Sequence, residues 1–277
     1  MDYIRLHISI KDDYHELLIA ELFELDFEGF EQEDDKVIAS VPANRFDDVK
    51  REEIEQILVR FHDAHLIEEE LVNPQNWNQK WEQSIQPQAI GKFYVRPTWG
   101  EPLPDNSDLV ELLIDPKMAF GTGYHATTRL ILEWLPDIVE EHDVVLDAGT
   151  GTGILGIGAL KLGAESVFGF DIDEWSEDNC NENVQLNQVK NFSVELGSIE
   201  TIPTDASYDL ILANINRNAL IELIPELLKY LKPNGRILLS GLLEDDEQTI
   251  LSQSSLQALN HIQTKQLGEW IALLFKA

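Results

Sequence analysis

The chain's 277 residues are 43% hydrophobic and 26% charged, enough for one large or two unequal folded units and outside the disordered class. Fifty-one Asp and Glu stand against 20 Lys and Arg, a formal net charge of -31 that repels phosphate backbones, so no direct nucleic-acid partner is expected. A single cysteine, Cys180, excludes an intramolecular disulfide and a cysteine-based metal site, and no apolar run is long enough to span a membrane.

The first 70 or so residues read as a small α/β unit. Tyr3 to Ser9 alternates as a strand, with Ile4, Leu6 and Ile8 on one face. Asp12 and Asp13 offer caps for a helix carrying Leu17, Leu18 and Leu22. Phe27 to Glu31 and Lys36 to Val41 are expected strands, separated by the acidic turn Glu33-Asp34-Asp35. Asn44 can cap a second helix with the stripe Phe46, Val49, Ile54, Ile57, Leu58 and Phe61. A last strand near His65 to Leu71 completes β-α-β-β-α-β, the ferredoxin-like order.

Asn73-Pro74 opens a connecting stretch containing Trp77 and Trp81, with Trp99 beyond. The three tryptophans read as packing at a domain junction rather than as a binding cage. One strand is expected within the loop-rich part, at Lys92 to Arg96. From Val144 the pattern becomes alternating strand and helix: strands at 144–147, 166–171, 192–196, 208–213 and 236–240, helices at 153–162, 174–187, 217–231 and 244–259, and mostly loop at 197–207. Such alternation implies a parallel sheet covered on both faces. Two final strands, 261–266 and 270–276, are separated by only Leu267-Gly268-Glu269, too few residues for a parallel crossover, so they form an antiparallel hairpin.

Val144 through Gly153 is the most informative stretch. An apolar strand runs through Asp147 into Gly149, Gly151 and Gly153, which open a helix whose N-terminal amides are unpaired. The next strand ends in Asp171, an acid placed to accept hydrogen bonds from ribose hydroxyls. Two ligands compete for this loop. Gly151, Gly153 and Gly156 match the dinucleotide G-x-G-x-x-G pattern, and Asp171 lies 20 residues beyond Gly151. Against that, Asp147-Ala148 and an additional glycine separate the strand from the pattern. Asp147 suits the cationic amino end of S-adenosylmethionine better than a pyrophosphate, and the terminal hairpin is a methyltransferase feature. S-adenosylmethionine is therefore the expected cofactor.

Three further segments resemble the ribosomal protein L11 methyltransferase (PrmA) family. Asp115-Pro116-Lys117-Met118-Ala119-Phe120-Gly121-Thr122-Gly123-Tyr124-His125-Ala126-Thr127-Thr128 is similar to the family's "DPGLAFGTGTHPTT" block. Asp171-Ile172-Asp173 and Leu212-Ala213-Asn214-Ile215-Asn216 are the second and third, and Asn76-Trp77 through Arg96-Pro97 looks like the family's entry to its catalytic domain. The resemblance covers residues 76 to 277; the first 70 residues match by expected topology more than by identity.

What the resemblance implies is a Rossmann-like class I S-adenosylmethionine-dependent methyltransferase domain at 73–277 behind a ferredoxin-like substrate-recognition domain at 1–72. The reaction would be methylation of lysine amines, with the α-amine as a further acceptor, on ribosomal protein L11, a basic partner that suits the acidic surface. Solubility alone explains that surface equally well. Carried over by position, Thr128, Gly149, Asp171 and Asn214 would contact the cofactor, with Gly151 in the same loop. Tyr124 and Ala126 replace Thr and Pro of the block, Thr150 stands where Cys is usual, and Asn216-Arg217-Asn218 replaces a more apolar run.

Methyl transfer to an amine is an in-line displacement in which orientation and exclusion of water dominate. The side-chain oxygen of Asn214, beside a backbone carbonyl, can accept hydrogen bonds from the amine, which makes Asn214 the catalytic candidate. Thr122 and Thr128 can hold the methionine carboxylate or cap the helix starting near Thr127. His125 could act as a base but reads better as a structural loop residue. Trp270 reads as core and Cys180 as inert. No metal constellation is visible. Competing acceptors are glutamine, a small amine or RNA; Ile215-Asn216 after Asn214 is unlike the Pro-Pro of glutamine methyltransferases. The opening Met1 to Arg5 lacks the features of a secretion signal, so a cytoplasmic location is expected, with a monomer as the default state.

Overall fold

The computed structural model describes residues 2–61, 63–72, 85–117 and 119–277. Trp77 and Trp81 lie outside them. The chain divides into two compact units, residues 1–77 and 78–277.

The first unit holds β1 (Tyr3–Ser9), α1 (His15–Phe23), β2 (Gly29–Glu33), β3 (Lys36–Pro42), α2 (Asp48–Leu58) and β4 (His65–Val72). All pairings are antiparallel in the order β2-β3-β1-β4, which is the ferredoxin-like arrangement. Leu6 and Ile8 of β1 join Leu18, Leu22, Ile54 and Leu58 in one core. Both expected helix caps are corrected. Asp12 and Asp13 fall in a short 3-10 turn before α1, where Asp12 Oδ1 instead accepts from the backbone N–H of Asp35 at 2.9 Å. Asn44 sits in another such turn, and Asp47 caps α2, because its extended backbone lets Oδ1 accept from Lys50 N at 2.9 Å. Leu17 and Val49, expected in the apolar stripes, are exposed.

Among the described residues of the second unit, a three-stranded sheet comes first, of β5 (Gln88–Ile90), β6 (Phe93–Arg96) and β7 (Val110–Leu113), of which only β6 was expected. Then come α3 (Ala126–Ile138), β8 (Val144–Ala148), α4 (Ile154–Lys161), β9 (Ser166–Asp171), α5 (Glu174–Leu186), β10 (Phe192–Leu196), β11 (Tyr208–Asn214), α6 (Arg217–Leu227), β12 (Leu231–Leu243), α7 (Glu247–Leu251), β13 (Asn260–Leu267) and β14 (Trp270–Lys276). The seven-stranded sheet runs β10-β9-β8-β11-β12-β14-β13. β10 through β12 are parallel, and the β13–β14 hairpin is antiparallel, as the three-residue connection requires.

Alternation along β8 and β11 divides the interior in two. Val145, Leu210 and Leu212 face a core built with α3, α4 and the small sheet, while Leu146, Ile211 and Ala213 face a core built with α6. The helix expected over 244–259 is broken after Leu251. Ser252 Oγ and Gln253 Nε2 both donate to the Thr249 carbonyl, at 3.0 and 2.9 Å, satisfying it without another turn.

Candidate active site

The chain winds outward from β8 to β10, then crosses back to place β11 on the other side of β8. Strand order reverses between β8 and β11, and open α/β sheets bind ligands at the carboxyl ends beside such a point. A cavity of about 370 Å³ lies there, lined by Gly149, Gly151, Asp171, Ile172, Ser198 and Asn214 among others. A larger hollow of about 570 Å³ opens at the opposite strand ends, near Val144, Ser166, Phe192 and Tyr208. Its position at the amino ends of the strands, away from the glycine loop, Asp171 and Asn214, makes it the weaker ligand site.

Asp171 ends β9 with both carboxylate oxygens engaged by backbone. Oδ2 accepts from Gly151 N at 2.9 Å and Oδ1 from Asp173 N at 3.1 Å. Burial pushes this carboxyl above the usual range, and the two N–H bonds counter it. Each oxygen keeps a lone pair for a donor in the cavity. Asp147 is placed differently from expectation. It is fully buried beneath the loop, where Oδ2 accepts from Thr150 Oγ1 at 2.9 Å and Gly156 N at 3.1 Å. Burial pushes its pKa up to about 7. It holds the loop from below and does not line the cavity, so its suitability for a cationic amino group cannot decide between ligands. Thr150, at the position where the family usually has Cys, supplies one of the donors Asp147 needs.

Gly151 needs its glycine for two reasons. Its φ is +53°, and a Cβ there would run into the Phe120 carbonyl. That contact is made by the segment before α3, which closes on the loop through Thr152: Thr152 N donates to Phe120 O at 2.8 Å and Thr152 Oγ1 to Gly121 O at 2.6 Å. The protein's own backbone, as much as a ligand, excludes a side chain from this position.

Three asparagines of α5 and its end position this segment, a role absent from the sequence reading. Asn187 Oδ1 accepts from Leu113 N at 3.0 Å while its Nδ2 donates to Leu113 O at 2.6 Å. Asn183 Oδ1 accepts from Asp115 N at 3.0 Å and its Nδ2 donates to Thr152 O at 2.9 Å. Asn179 Nδ2 donates to Asp115 O at 2.7 Å. All three are buried, and their recurrence every four residues, one face of a helix, was the available signal.

Asn214 ends β11 with Nδ2 donating to Thr128 Oγ1 at 3.3 Å. Its Oδ1 is buried and has no partner among the described residues. An orphaned buried acceptor beside a cavity marks a site completed by something else. Thr128 itself is fully buried in the first turn of α3 and meets the cavity only through Asn214. Thr122 does not line the cavity; its Oγ1 accepts from Tyr124 N at 3.3 Å. His125 is the N-cap of α3, with Nδ1 facing Thr127 N at 3.4 Å, and its ring packs edge-on to Trp270 at 4.6 Å. Asn216, in the run that departs from the family, caps α6 through Ala219 N at 3.1 Å and also lines the cavity. Cys180 is buried, and burial with the nearby Asp147 charge pushes its thiol up to about 12, leaving it unreactive. Among the described residues no group of three or more His, Cys, Asp or Glu could hold a metal ion.

A doubly wound sheet that ends in an antiparallel hairpin, with a glycine loop, a strand-end acid and a strand-end asparagine around one cavity, defines a class I S-adenosylmethionine-dependent methyltransferase. The particular kind follows from comparison. Residues 3–277 match the sequence profile of the ribosomal protein L11 methyltransferase (PrmA) family, and the chain belongs to that family. A ribosomal protein L11 methyltransferase of Chlorobaculum parvum is 35% identical over 280 residues, covering 99% of this chain and 96% of the relative. One from Porphyromonas gingivalis is 37% identical over 266 residues, covering 94% and 90%. The crystal structure of a ribosomal protein L11 methylase from Lactobacillus delbrueckii subsp. bulgaricus superposes with a TM-score of 0.64 at 30% identity, covering 69% of this chain and 98% of that one.

Proposed function

We propose that the chain transfers methyl groups from S-adenosylmethionine to lysine side-chain amines of ribosomal protein L11, with the α-amine as a further acceptor. It does so in the cytoplasm, as a monomer and without nucleic acid. Residues 1–72 recognise the substrate protein, and residues 73–277 carry the chemistry. Among the described residues no helix is long and apolar enough to cross a membrane. The observation that carries the reading is the orphaned Asn214 Oδ1 in the same cavity as Gly149, Gly151 and Asp171.

The residues present fit the donor. Backbone at Gly149 and Gly151 offers a wall without side chains, Asp171 keeps acceptor capacity for a ribose diol, and Asn214, held from behind by Thr128, borders the remaining end. When bound, S-adenosylmethionine would supply an electrophilic methyl group open to in-line attack by an amine lone pair, with the thioether as leaving group and the extra proton of the methylated amine lost to solvent. The chain's own work is alignment. Asn214 Oδ1 accepts a hydrogen bond from the neutral amine and directs its lone pair, an acceptor role that an ammonium with no lone pair could not turn to use. Phe120 and Ile172 add apolar surface to the cavity wall.

The test is transfer of label from S-adenosylmethionine to purified, unmethylated L11, with Asp171→Ala as the control. Label on lysines, lost with the substitution, supports the reading. Cofactor binding by calorimetry with no label on L11 removes the substrate and leaves the fold and donor site standing.

A further inference from the structure

Arg217 is the one basic residue of α6, and it opens that helix directly after Asn216, which lines the catalytic cavity together with Asn214. It belongs to the run Asn216-Arg217-Asn218, more polar than the family's, and methyl transfer itself gives it no task. Among the described residues that line the cavity, the charged ones are Asp171 and Glu222, both acidic. A cation beside the turn that follows Asn214 runs against the charge of the site. It also repels a lysine that arrives as an ammonium.

Asp246, just before α7, cancels that cation. Its Oδ1 accepts from Arg217 Nη1 at 2.9 Å, and Arg217 Nε donates to Asn218 Oδ1 at 3.3 Å, so the guanidinium is held between the two. The carboxylate is itself fixed. Its Oδ2 accepts from Leu243 N at 3.0 Å, and its side chain is 11% exposed against 49% for Arg217. The turn from Asn214 to Asn216 does not depend on this pair for its position. Asn214 is bonded to Thr128, Asn216 caps α6 through Ala219 N, and β12 passes so close at Gly241 that a Cβ there would run into the Ile215 carbonyl. An ion pair with one half-exposed partner adds little stability of its own. What the pair decides is the charge at the rim. We propose that Asp246 is a specificity-determining residue for cationic acceptors: it neutralises Arg217 and so keeps the approach to Asn214 attractive to a lysine ammonium, although Asp246 does not line the cavity. The inference rests on the function proposed above.

Three full-length variants test it by charge. Asp246→Asn keeps the shape and an acceptor for Leu243 N while leaving Arg217 unpaired. It is expected to raise KM for L11 about three- to tenfold, and by less at high salt, with kcat at saturating L11 and calorimetric affinity for S-adenosylhomocysteine unchanged. Adding Arg217→Gln removes both charges and returns KM to within about twofold of the wild type. Arg217→Gln alone leaves Asp246 anionic and lowers KM about twofold, which keeps the test decisive should Asp246→Asn fail to fold. A KM that stays raised in the double variant means that the pair shapes the turn, and overturns the proposal. A KM that Arg217→Gln leaves unchanged or raises does the same. An unchanged KM in Asp246→Asn, while the wild type methylates L11, overturns the proposal and leaves the functional reading intact. A wild type that binds S-adenosylhomocysteine yet leaves L11 unlabelled overturns both.

Discussion

Asn214 and Thr128 are 86 positions apart and meet side chain to side chain, the amide Nδ2 donating to Oγ1 at 3.3 Å. This bond fixes which end of the amide is left over, because with Nδ2 committed to the threonine the orphaned end is the acceptor Oδ1. Thr128→Val removes the partner while nearly keeping the volume, and frees the amide to turn. Single-turnover methylation is expected to slow about tenfold in Thr128→Val and about a hundredfold or more in Asn214→Ala, with S-adenosylhomocysteine affinity altered only a few-fold in either. Equal, large losses of cofactor affinity in both would place the pair in donor binding and remove its role toward the acceptor.

Asp171 carries two tasks at once, since its oxygens take the N–H groups of Gly151 and Asp173 and face the cavity. Asp171→Asn turns one acceptor into a donor aimed at a backbone N–H, and S-adenosylhomocysteine affinity is expected to fall by about ten- to a hundredfold. The carboxyl must be ionised to accept from both sides. Because burial raises its pKa, donor KM in the wild type is expected to rise as pH falls, beginning at a higher pH than an ordinary aspartate would require. Calorimetric titration from pH 8 downward, with the Asn variant as a flat reference, checks the sign.

The parts of this molecule legible in sequence were those with long periodic signals. Leu210, Ile211, Leu212 and Ala213 form a continuous apolar run because both faces of β11 are buried, and such a run ending in Asn214 announces a central parallel strand. β5 and β7 are harder to read than β6: β5 has only three residues, and in β7 the run Val110-Glu111-Leu112-Leu113 breaks the alternation. Capping was misassigned at Asn44 and Asp47 because both are good cap residues, and only the backbone decides between them: Asp47 is extended and Asn44 lies inside a turn. At the site, Gly149, Gly151 and Asp171 could be located from the loop pattern, but the direction Asp147 faces could not. A strand-end side chain points up or down according to pleat and twist, and Asp147 points into the protein.

That inward orientation sets a pH dependence. Folding buries the Asp147 carboxyl and raises its pKa from 3.8 to about 7. Between those values the unfolded chain has released the proton and the folded chain still holds it, so stability falls as pH rises through the window, and levels off above about 7. Asp147→Asn cannot titrate and lacks this contribution. Urea midpoints for wild type minus Asn variant are therefore expected to decrease from pH 4 to pH 7. A difference that is constant, or that grows with pH, contradicts a buried protonated carboxyl.

The asparagines of α5 separate stability from cofactor binding. Asn183→Ala orphans the half-buried Asp115 N and the buried Thr152 O, at a cost of about 2–4 kcal/mol. Asn187→Ala orphans both polar groups of Leu113 and costs a similar amount. Only Asn183 reaches Thr152, the residue that fastens Phe120 and Gly121 over the glycine loop. Donor KM is expected to rise in Asn183→Ala and to stay near the wild-type value in Asn187→Ala, although urea denaturation finds the two equally destabilised. Equal KM values in the two variants would reduce Asn183 to a packing residue.

Gly153, the N-cap of α4, combines a backbone and a packing requirement that a double variant can separate. Its φ of +80° costs an L-residue about 1–2 kcal/mol. An added Cβ would also come within 2.6 Å of Cys180 Sγ, closer than such atoms approach, and Cys180 is buried on α5. Gly153→Ala alone is therefore expected to lose about 3–4 kcal/mol. Cys180→Ala removes the opposing sulfur and costs about 1–2 kcal/mol by itself as a small cavity. In the double variant the clash is gone and the φ penalty remains, so the two losses should combine to less than their sum by about 1–2 kcal/mol. Thermal and urea denaturation of the four chains gives the cycle. Strict additivity would mean that α5 shifts to accommodate the methyl group and that the left-handed backbone alone holds glycine at this position.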